Sequence, residues 1–252
     1  MAKSTQSRII GWALRLLVGV MILSVLGVLF WRIMSSGDPA TMTALQPNEK
    51  LYAAYQTEGD QLLILHQQHD VIIRDGPAKG YFSVTQSQFI PAAEQLQITF
   101  RYNNSTLKYV AADYDKPAPL ERGKDWFDVT VTVAYDLTPD NTADNDVNDP
   151  ASVRFERYQP SSCTKDTKNL YNYERLTFDG LQIVQGYRED GTPIMRSDVL
   201  AVYVDIYFNE DVNYDTDALG SLLIYVWGNE RKVLTDTIGY KDQQALSAFG
   251  EK

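Results

Sequence analysis

The apolar positions of the first 34 residues run almost without interruption, whereas those of the rest of the chain alternate with polar ones. Between Ile9 and Ile33 the only ionisable residues are Arg15 and Arg32. A helix rises about 1.5 Å per residue, so Ile9 to Trp31 extends roughly 34 Å and can cross a hydrocarbon core of about 30 Å. The pattern predicts a transmembrane helix over residues 9–33.

The flanks of this helix indicate its orientation. Trp12 and Trp31 fall where the two membrane interfaces should lie, and Arg15 is close enough to the inner one to extend its guanidinium into it. More basic residues precede the apolar stretch than follow it at Arg32, which favours a cytoplasmic tail over residues 1–8 and an exported C-terminal part. A cleaved signal peptide is the alternative, although the apolar stretch exceeds the usual length of about 7 to 15 residues.

A short stalk is predicted over residues 34–47, which are small, polar and proline-containing. The extracytoplasmic domain is then predicted over residues 48–252. Its first element, Asn48 to Gln56, places Leu51, Tyr52 and Tyr55 on one side, as a short amphipathic helix does.

Beyond this helix the hydrophobic period changes to two. Val129 to Leu137 is the clearest case: its odd-numbered positions are apolar, and Thr130, Thr132 and Asp136 are predicted to face outward. The other predicted strands are Leu62 to Leu65, Val71 to Arg74, Tyr81 to Phe89, Gln95 to Tyr102, Val153 to Tyr158, Tyr171 to Phe178, Leu200 to Phe208, Leu222 to Trp227 and a short one near Arg231 to Leu234. A terminal helix is predicted over Asp242 to Phe249.

These elements predict a mainly β fold, with an N-terminal transmembrane helix followed by an antiparallel β-sandwich of immunoglobulin-like type. Closing two antiparallel sheets on each other buries the apolar face of each. A small barrel is the alternative.

The charge of the chain is unevenly placed. All 33 acidic residues follow Arg32, whereas four of the 23 basic residues lie within the first 34 positions. An acidic domain repels phosphate backbones and attracts cations and basic proteins, so the sequence disfavours nucleic acid as a partner.

Two loops rich in Asp and Asn suggest a calcium site. The first, Pro139 to Pro150, contains Asp144 and Asp146. The second contains Asp211, Asn213, Asp215 and Asp217 at alternate positions. Oxygen ligands of this kind suit Ca²⁺. Neither loop has the closing glutamate of an EF-hand, and solvated turn residues explain both loops equally well.

An aromatic platform is a second candidate site. Tyr203 and Tyr207 share one face of a predicted strand, and Tyr225 lies on a strand that could pair with it. Such a face could bind a sugar ring or a peptide. The alternative is that the predicted Leu51, Tyr52 and Tyr55 helix covers it.

The candidates for catalysis are few. Cys163 is the only cysteine, so no disulfide can form within the chain. Sortases also combine an N-terminal anchor, a β-rich domain and one Cys with a downstream Arg, here Arg175. However, Cys163 does not end an apolar strand as in TLxTC, and Ser162 to Lys165 is predicted to be a loop rather than a helical SxxK motif. A catalytic site is not expected, and a sortase-like transpeptidase is the third interpretation of the function.

Four segments carry a family resemblance: FRYNNSTL (Phe100 to Leu107), YDLTPDN (Tyr135 to Asn141), TKNLYNYERLTFDGL (Thr167 to Leu181) and YVDIYF (Tyr203 to Phe208). Together they resemble an uncharacterised family of single-pass, membrane-anchored proteins from Gram-positive Clostridia. The resemblance implies a bacterial cell surface and a sandwich-like domain. It supplies no site residues.

The function expected from the sequence is that of a non-catalytic extracytoplasmic interaction or accessory domain. Its partners would be the lipid bilayer, through the helix, and another envelope protein or a wall glycan. A glycan-binding or calcium-dependent adhesion module is the alternative.

Overall fold

The computed structural model of the chain describes residues 3–35, 37–72, 82–121, 124–137, 153–189, 193–209, 214, 218–226 and 234–251. The helices are α1 (Lys3–Ser35), α2 (Ala40–Thr43), α3 (Glu49–Glu58), α4 (Asn104–Asp113) and α5 (Tyr240–Gly250). The strands are β1 (Leu63–Ile72), β2 (Phe82–Ile90), β3 (Gln95–Asn103), β4 (Phe127–Asp136), β5 (Val153–Tyr158), β6 (Ser162–Lys168), β7 (Tyr171–Asp179), β8 (Val184–Tyr187), β9 (Pro193–Met195), β10 (Val199–Phe208), β11 (Gly220–Val226) and β12 (Leu234–Thr237). The chain divides into two compact units, Met1–Asp38 and Pro39–Lys252.

The first unit is the helix α1, which confirms the predicted N-terminal apolar helix. Its window Leu14–Trp31 has a mean hydropathy of 2.3, and none of the window is buried. Trp12, Arg15 and Trp31 are all exposed on it. The helix is therefore long and apolar enough to cross a membrane.

The second unit is built on two antiparallel sheets. The six-stranded sheet has the order β12-β1-β2-β3-β7-β6, and the four-stranded sheet has the order β11-β10-β4-β5. A separate hairpin pairs β8 with β9. The mainly β prediction is confirmed.

One hydrophobic core contains side chains from both sheets. Phe82 of the six-stranded sheet and Phe127 of the four-stranded sheet meet edge to face, with 4.8 Å between their ring centroids. Val131 and Val133 on β4 lie in the same core with Val204 on β10. These strands were predictable because their apolar residues recur every second position on one side.

β4 departs from the prediction in one respect. Thr130, Thr132 and Asp136, which the alternation predicts to face outward, are buried, whereas Leu137 is 55% exposed. β4 lies between β10 and β5. The outward side chains of a central strand are flanked on both sides by those of its neighbours, as Thr132 is where it donates to Asp205 on β10, and alternation alone does not reveal this shielding.

β6 and α4 are among the elements that the sequence did not predict. β6 occupies Ser162–Lys168, where a loop was predicted. Its residues are mostly polar and show no alternation of apolar and polar positions. α4 follows β3 directly, with Asn103 as its N-cap and a capping box closed by Thr106. An asparagine cap followed by buried Leu107 and Val110 is a helix signal that the predominance of strands concealed.

The segment 39–48, here called the strap, packs on the domain. Met42 and Leu45 are 0% and 2% exposed. The main-chain carbonyl of Met42 accepts hydrogen bonds from the Thr99 hydroxyl at 2.6 Å and the Gln86 amide at 2.8 Å. Residues 39–47 therefore belong to the compact unit rather than to the predicted stalk.

Arg175 is the centre of the contact between the strap and the six-stranded sheet. Its side chain is 0% exposed, and Nη1 donates to the Met42 carbonyl at 2.9 Å and to Thr99 Oγ1 at 2.8 Å. Nη2 donates to the side-chain oxygens of Gln97 and Gln88. Burial lowers the pKa of Arg175 to about 10. The guanidinium is thus held by neutral oxygen acceptors, which stabilise a buried cation.

Candidate functional site

The predicted aromatic platform is occupied by the protein itself at Tyr207. This tyrosine is 7% exposed, and its ring meets that of Tyr214 edge to face at 5.2 Å. The guanidinium of Arg157 lies 4.6 Å from the centroid of the Tyr214 ring, and the Tyr214 hydroxyl donates to Asp128. Tyr214 and Arg157, rather than the predicted helix, lie against this face.

Tyr203 and Tyr225 lie on the paired strands β10 and β11. Tyr203 is half-buried and packs against a small cluster formed by Ala134, Val153 and Ala201. The register shifts between β10 and β11, so that Tyr225 pairs with Val202 rather than with Tyr203. The side chain of Tyr225 lies outside the described residues, so this part of the platform stays a prediction.

The predicted calcium ligands, Asp144, Asp146, Asp211 and Asp215, lie outside the described residues. Within the part of the chain that the structure describes, no group of three His, Cys, Asp or Glu side chains could hold a metal ion. The calcium site stays a prediction.

Cys163 lies at an edge of the six-stranded sheet beside a buried carboxyl group. Its Sγ is 3.7 Å from Glu174 Oε2, and the Tyr102 hydroxyl donates to Glu174 Oε1 at 3.0 Å. Lys165 Nζ lies 3.6 Å from the same carboxylate and 3.0 Å from Asp125. Burial and then the Glu174 charge raise the pKa of Cys163 to about 12, so the thiol is protonated at neutral pH.

Cys163 and Arg175 are not brought together. β6 and β7 pair Cys163 with Leu176 and Thr164 with Arg175. Residues paired across strands share a face and successive residues alternate, so the thiol and the guanidinium point to opposite faces of the sheet. The sortase-like arrangement of a thiolate beside an arginine is not formed.

A cleft beside α3 lies elsewhere, and no sequence pattern indicated it. It has a volume of about 630 Å³ and three walls. The helical wall is one stripe of α3, formed by Lys50, Ala53, Ala54, Thr57 and Glu58. The turn from Pro91 to Glu94 and the strand β8 form the other two walls.

Local structure fixes these walls. α3 begins at Asn48, whose side chain accepts from the Leu51 amide at 2.9 Å, and ends at Gly59 with φ of 55°. Glu94 ends the turn, and its carbonyl accepts from the amides of Gly180 and Leu181, both at 2.9 Å. Leu51 and Ala54 anchor α3 in a second hydrophobic cluster. The helix is therefore held against the sheet while its small residues face the cleft.

The charges around the cleft are mostly negative. Burial, and then the charges of Glu58 and Glu94, raise the pKa of Tyr187, which shows that both carboxylates act on this one hydroxyl. Lys50 acts on Asp179: burial alone would raise the pKa of Asp179, but hydrogen bonds and the Lys50 charge hold it below its ordinary value. The cleft thus combines a tyrosine, two carboxylates and one lysine with the small side chains of its helical wall.

Sequence reasoning missed these residues because they come from separate elements. Lys50 and Glu58 look like the solvated face of an amphipathic helix, and Glu94 looks like a turn residue. The one usable signal was Ala53, a small exposed residue beside the anchored Ala54 that leaves space next to the helix.

Comparison of the chain with protein-family models, with curated proteins and with solved structures finds no match. The function is therefore inferred from the sequence and from the geometry of the structure.

Proposed function

We propose that this chain is a single-pass membrane protein whose two sheets form a β-sandwich outside the cytoplasm, and that this domain is a non-catalytic interaction or accessory module of a bacterial envelope. The observation that carries the proposal is α1, a 33-residue helix. Its apolar window has no protein cover. Apolar surface of this extent is stable in a hydrocarbon environment.

The rest of the domain supports an interaction role. The thiol of Cys163 has a raised pKa and lies on the opposite face from Arg175, so the described residues offer no activated nucleophile at this position. The cleft beside α3 offers a ligand space of about 630 Å³. The immunoglobulin-like arrangement of the strands stays a prediction from the sequence.

The first experiment tests the anchor. Substitution of Leu23→Arg together with Leu26→Arg places two charges at the centre of the span, each opposing insertion by about 2.5–3.5 kcal/mol. We expect the unaltered chain to stay with membranes after alkaline carbonate extraction, and the double variant to be released. Leu170→Arg, in a turn outside α1, is the matched control and should stay with the membrane. Release of the unaltered chain, or a mature mass that lacks residues 1–35, would contradict the anchor.

The second experiment tests the orientation. In a Cys163→Ser background, Leu170→Cys places a thiol on a side-chain position that is 70% exposed in the β6–β7 turn. A membrane-impermeant maleimide should label this residue in intact cells. The same reagent should label Ser4→Cys only after lysis. The reverse pattern would place the domain in the cytoplasm and end the proposal of an extracytoplasmic role.

A further inference from the structure

We propose that the cleft beside α3 binds an extended peptide segment that carries a basic side chain, lysine or arginine. The inference rests on the proposed interaction role, because it names the ligand class of that domain. It follows from the shape of the cleft, its charge and the exposed edge of one strand.

The shape suits a side chain with an aliphatic stem. Ala53, Ala54 and Thr57 form the helical wall, and the turn opposite contributes Pro91 and Ala92. Apolar surface of this kind packs against the methylene groups of lysine or arginine, which bury their stems while their charged ends reach polar partners.

The charge suits a cation. Glu58 and Glu94 line the cleft from two different walls, and neither carboxylate has an ion-pair partner among the residues that the structure describes. Lys50 also lines the cleft, but its charge acts on Asp179, and the two carboxylates leave the lining with a net negative charge. Tyr187 lines the third wall and is influenced by both. A cation between two carboxylates and an aromatic ring gains charge-assisted hydrogen bonds and a ring contact together.

The strand β8 suits an extended backbone. All four of its residues line the cleft. Alternate residues of a strand point to opposite faces, so a strand that contributes every residue presents its edge. β8 pairs only with β9 among the described strands, which leaves its other edge unpaired. A peptide can add to such an edge through main-chain hydrogen bonds.

The test uses the full chain in detergent micelles and a fluorescein-labelled peptide, Val-Lys-Val-Lys-Val with blocked ends, read by fluorescence polarisation. Substitution of Glu58→Gln with Glu94→Gln should raise the dissociation constant roughly tenfold or more, because two charge-assisted contacts are lost. Replacement of both peptide lysines by glutamine should weaken binding to the unaltered chain to a similar extent.

The matched control removes the same charge from another place. Glu156→Gln with Glu251→Gln changes two exposed carboxylates that do not line the cleft, and should leave the dissociation constant within about twofold. Equal weakening by both pairs would show a general attraction of a basic peptide to an acidic protein, and would overturn the proposal.

A second variant tests the location. Ala53→Trp fills the cleft from an exposed helix position, so the melting temperature should be nearly unchanged while peptide binding is lost. Unchanged binding by a folded Ala53→Trp chain would overturn the proposal.

If the peptide fails to bind but α1 still anchors the chain, the cleft assignment alone is wrong. If α1 fails to anchor, binding in solution remains measurable, so the two failures are distinguishable.

Discussion

Glu174 and Arg175 are neighbours in β7, yet they are buried on opposite faces of the same sheet by different means. Glu174 is 2% exposed on the face that carries the hydrophobic core, where it lies at the edge near Tyr102 and Lys165. Arg175 is on the face that the strap covers, where it meets the Met42 carbonyl and uncharged side-chain oxygens.

The difference shows how one sheet buries two opposite charges. The cation is enclosed by several acceptors, so its desolvation is offset by hydrogen bonds. The carboxyl group has fewer partners: burial raises its pKa, while the Lys165 charge and the Tyr102 hydrogen bond lower it only in part. We therefore expect Arg175 to stabilise the domain and Glu174 to destabilise it near neutral pH.

The largest effect is expected from the apolar packing beside Glu174. Phe100 pairs with Glu174 across β3 and β7 and is 0% exposed. Phe100→Ala should lower the free energy of unfolding by about 3–5 kcal/mol, because a cavity replaces a buried ring. Chemical denaturation of the full chain in micelles measures this loss. Phe155→Ala, at a position that is 55% exposed on β5, is the control and should change stability by no more than about 0.5 kcal/mol.

The next largest loss of stability is expected on the face of the sheet that the strap covers. Arg175→Met keeps most of the side-chain volume but removes one donor each from the Met42 carbonyl and Gln97 Oε1, and the only described donor from Gln88 Oε1, so we expect a loss of about 2–3 kcal/mol. Hydrogen exchange should also accelerate within residues 39–48 more than in β10. Arg188→Met, at an exposed arginine, is the matched control. Loss of stability without faster exchange in the strap would contradict the role given to Arg175.

The smallest change in stability is expected at Glu174, and it is a gain rather than a loss. The pKa of Glu174 is raised in the folded chain above its ordinary 4.5, so the native state holds the proton more tightly than the unfolded state. Its contribution to stability is complete below the unfolded pKa and is lost as pH rises through the folded pKa.

Glu174→Gln should therefore raise the melting temperature at pH 7 by a few degrees, with a difference that vanishes below the unfolded pKa. The new amide oxygen keeps the Tyr102 hydrogen bond. Glu156→Gln on exposed β5 should give no such pH-dependent gain. A lower melting temperature at pH 7 for the Glu174→Gln variant would show that the Lys165 contact outweighs desolvation.

The sequence by itself determined the elements whose hydrophobic period is unambiguous. α1 follows from the continuous apolar run between Arg15 and Arg32, and β3, β4 and β10 follow from strict alternation. In both cases the local pattern indicates which side chains the element must bury, so the element can be predicted without knowing its neighbours.

Only the tertiary structure decided the rest. The sequence predicts Arg175 within a strand but does not predict the strap that covers it. Residues 39–47 were predicted to be a stalk because they are polar, whereas they bind the polar face of the sheet through hydrogen bonds to Gln97 and Arg175. The cleft likewise exists because α3, the Pro91 turn and β8 meet in space. Polarity in a sequence shows that a side chain needs polar partners, and water and protein satisfy that need equally.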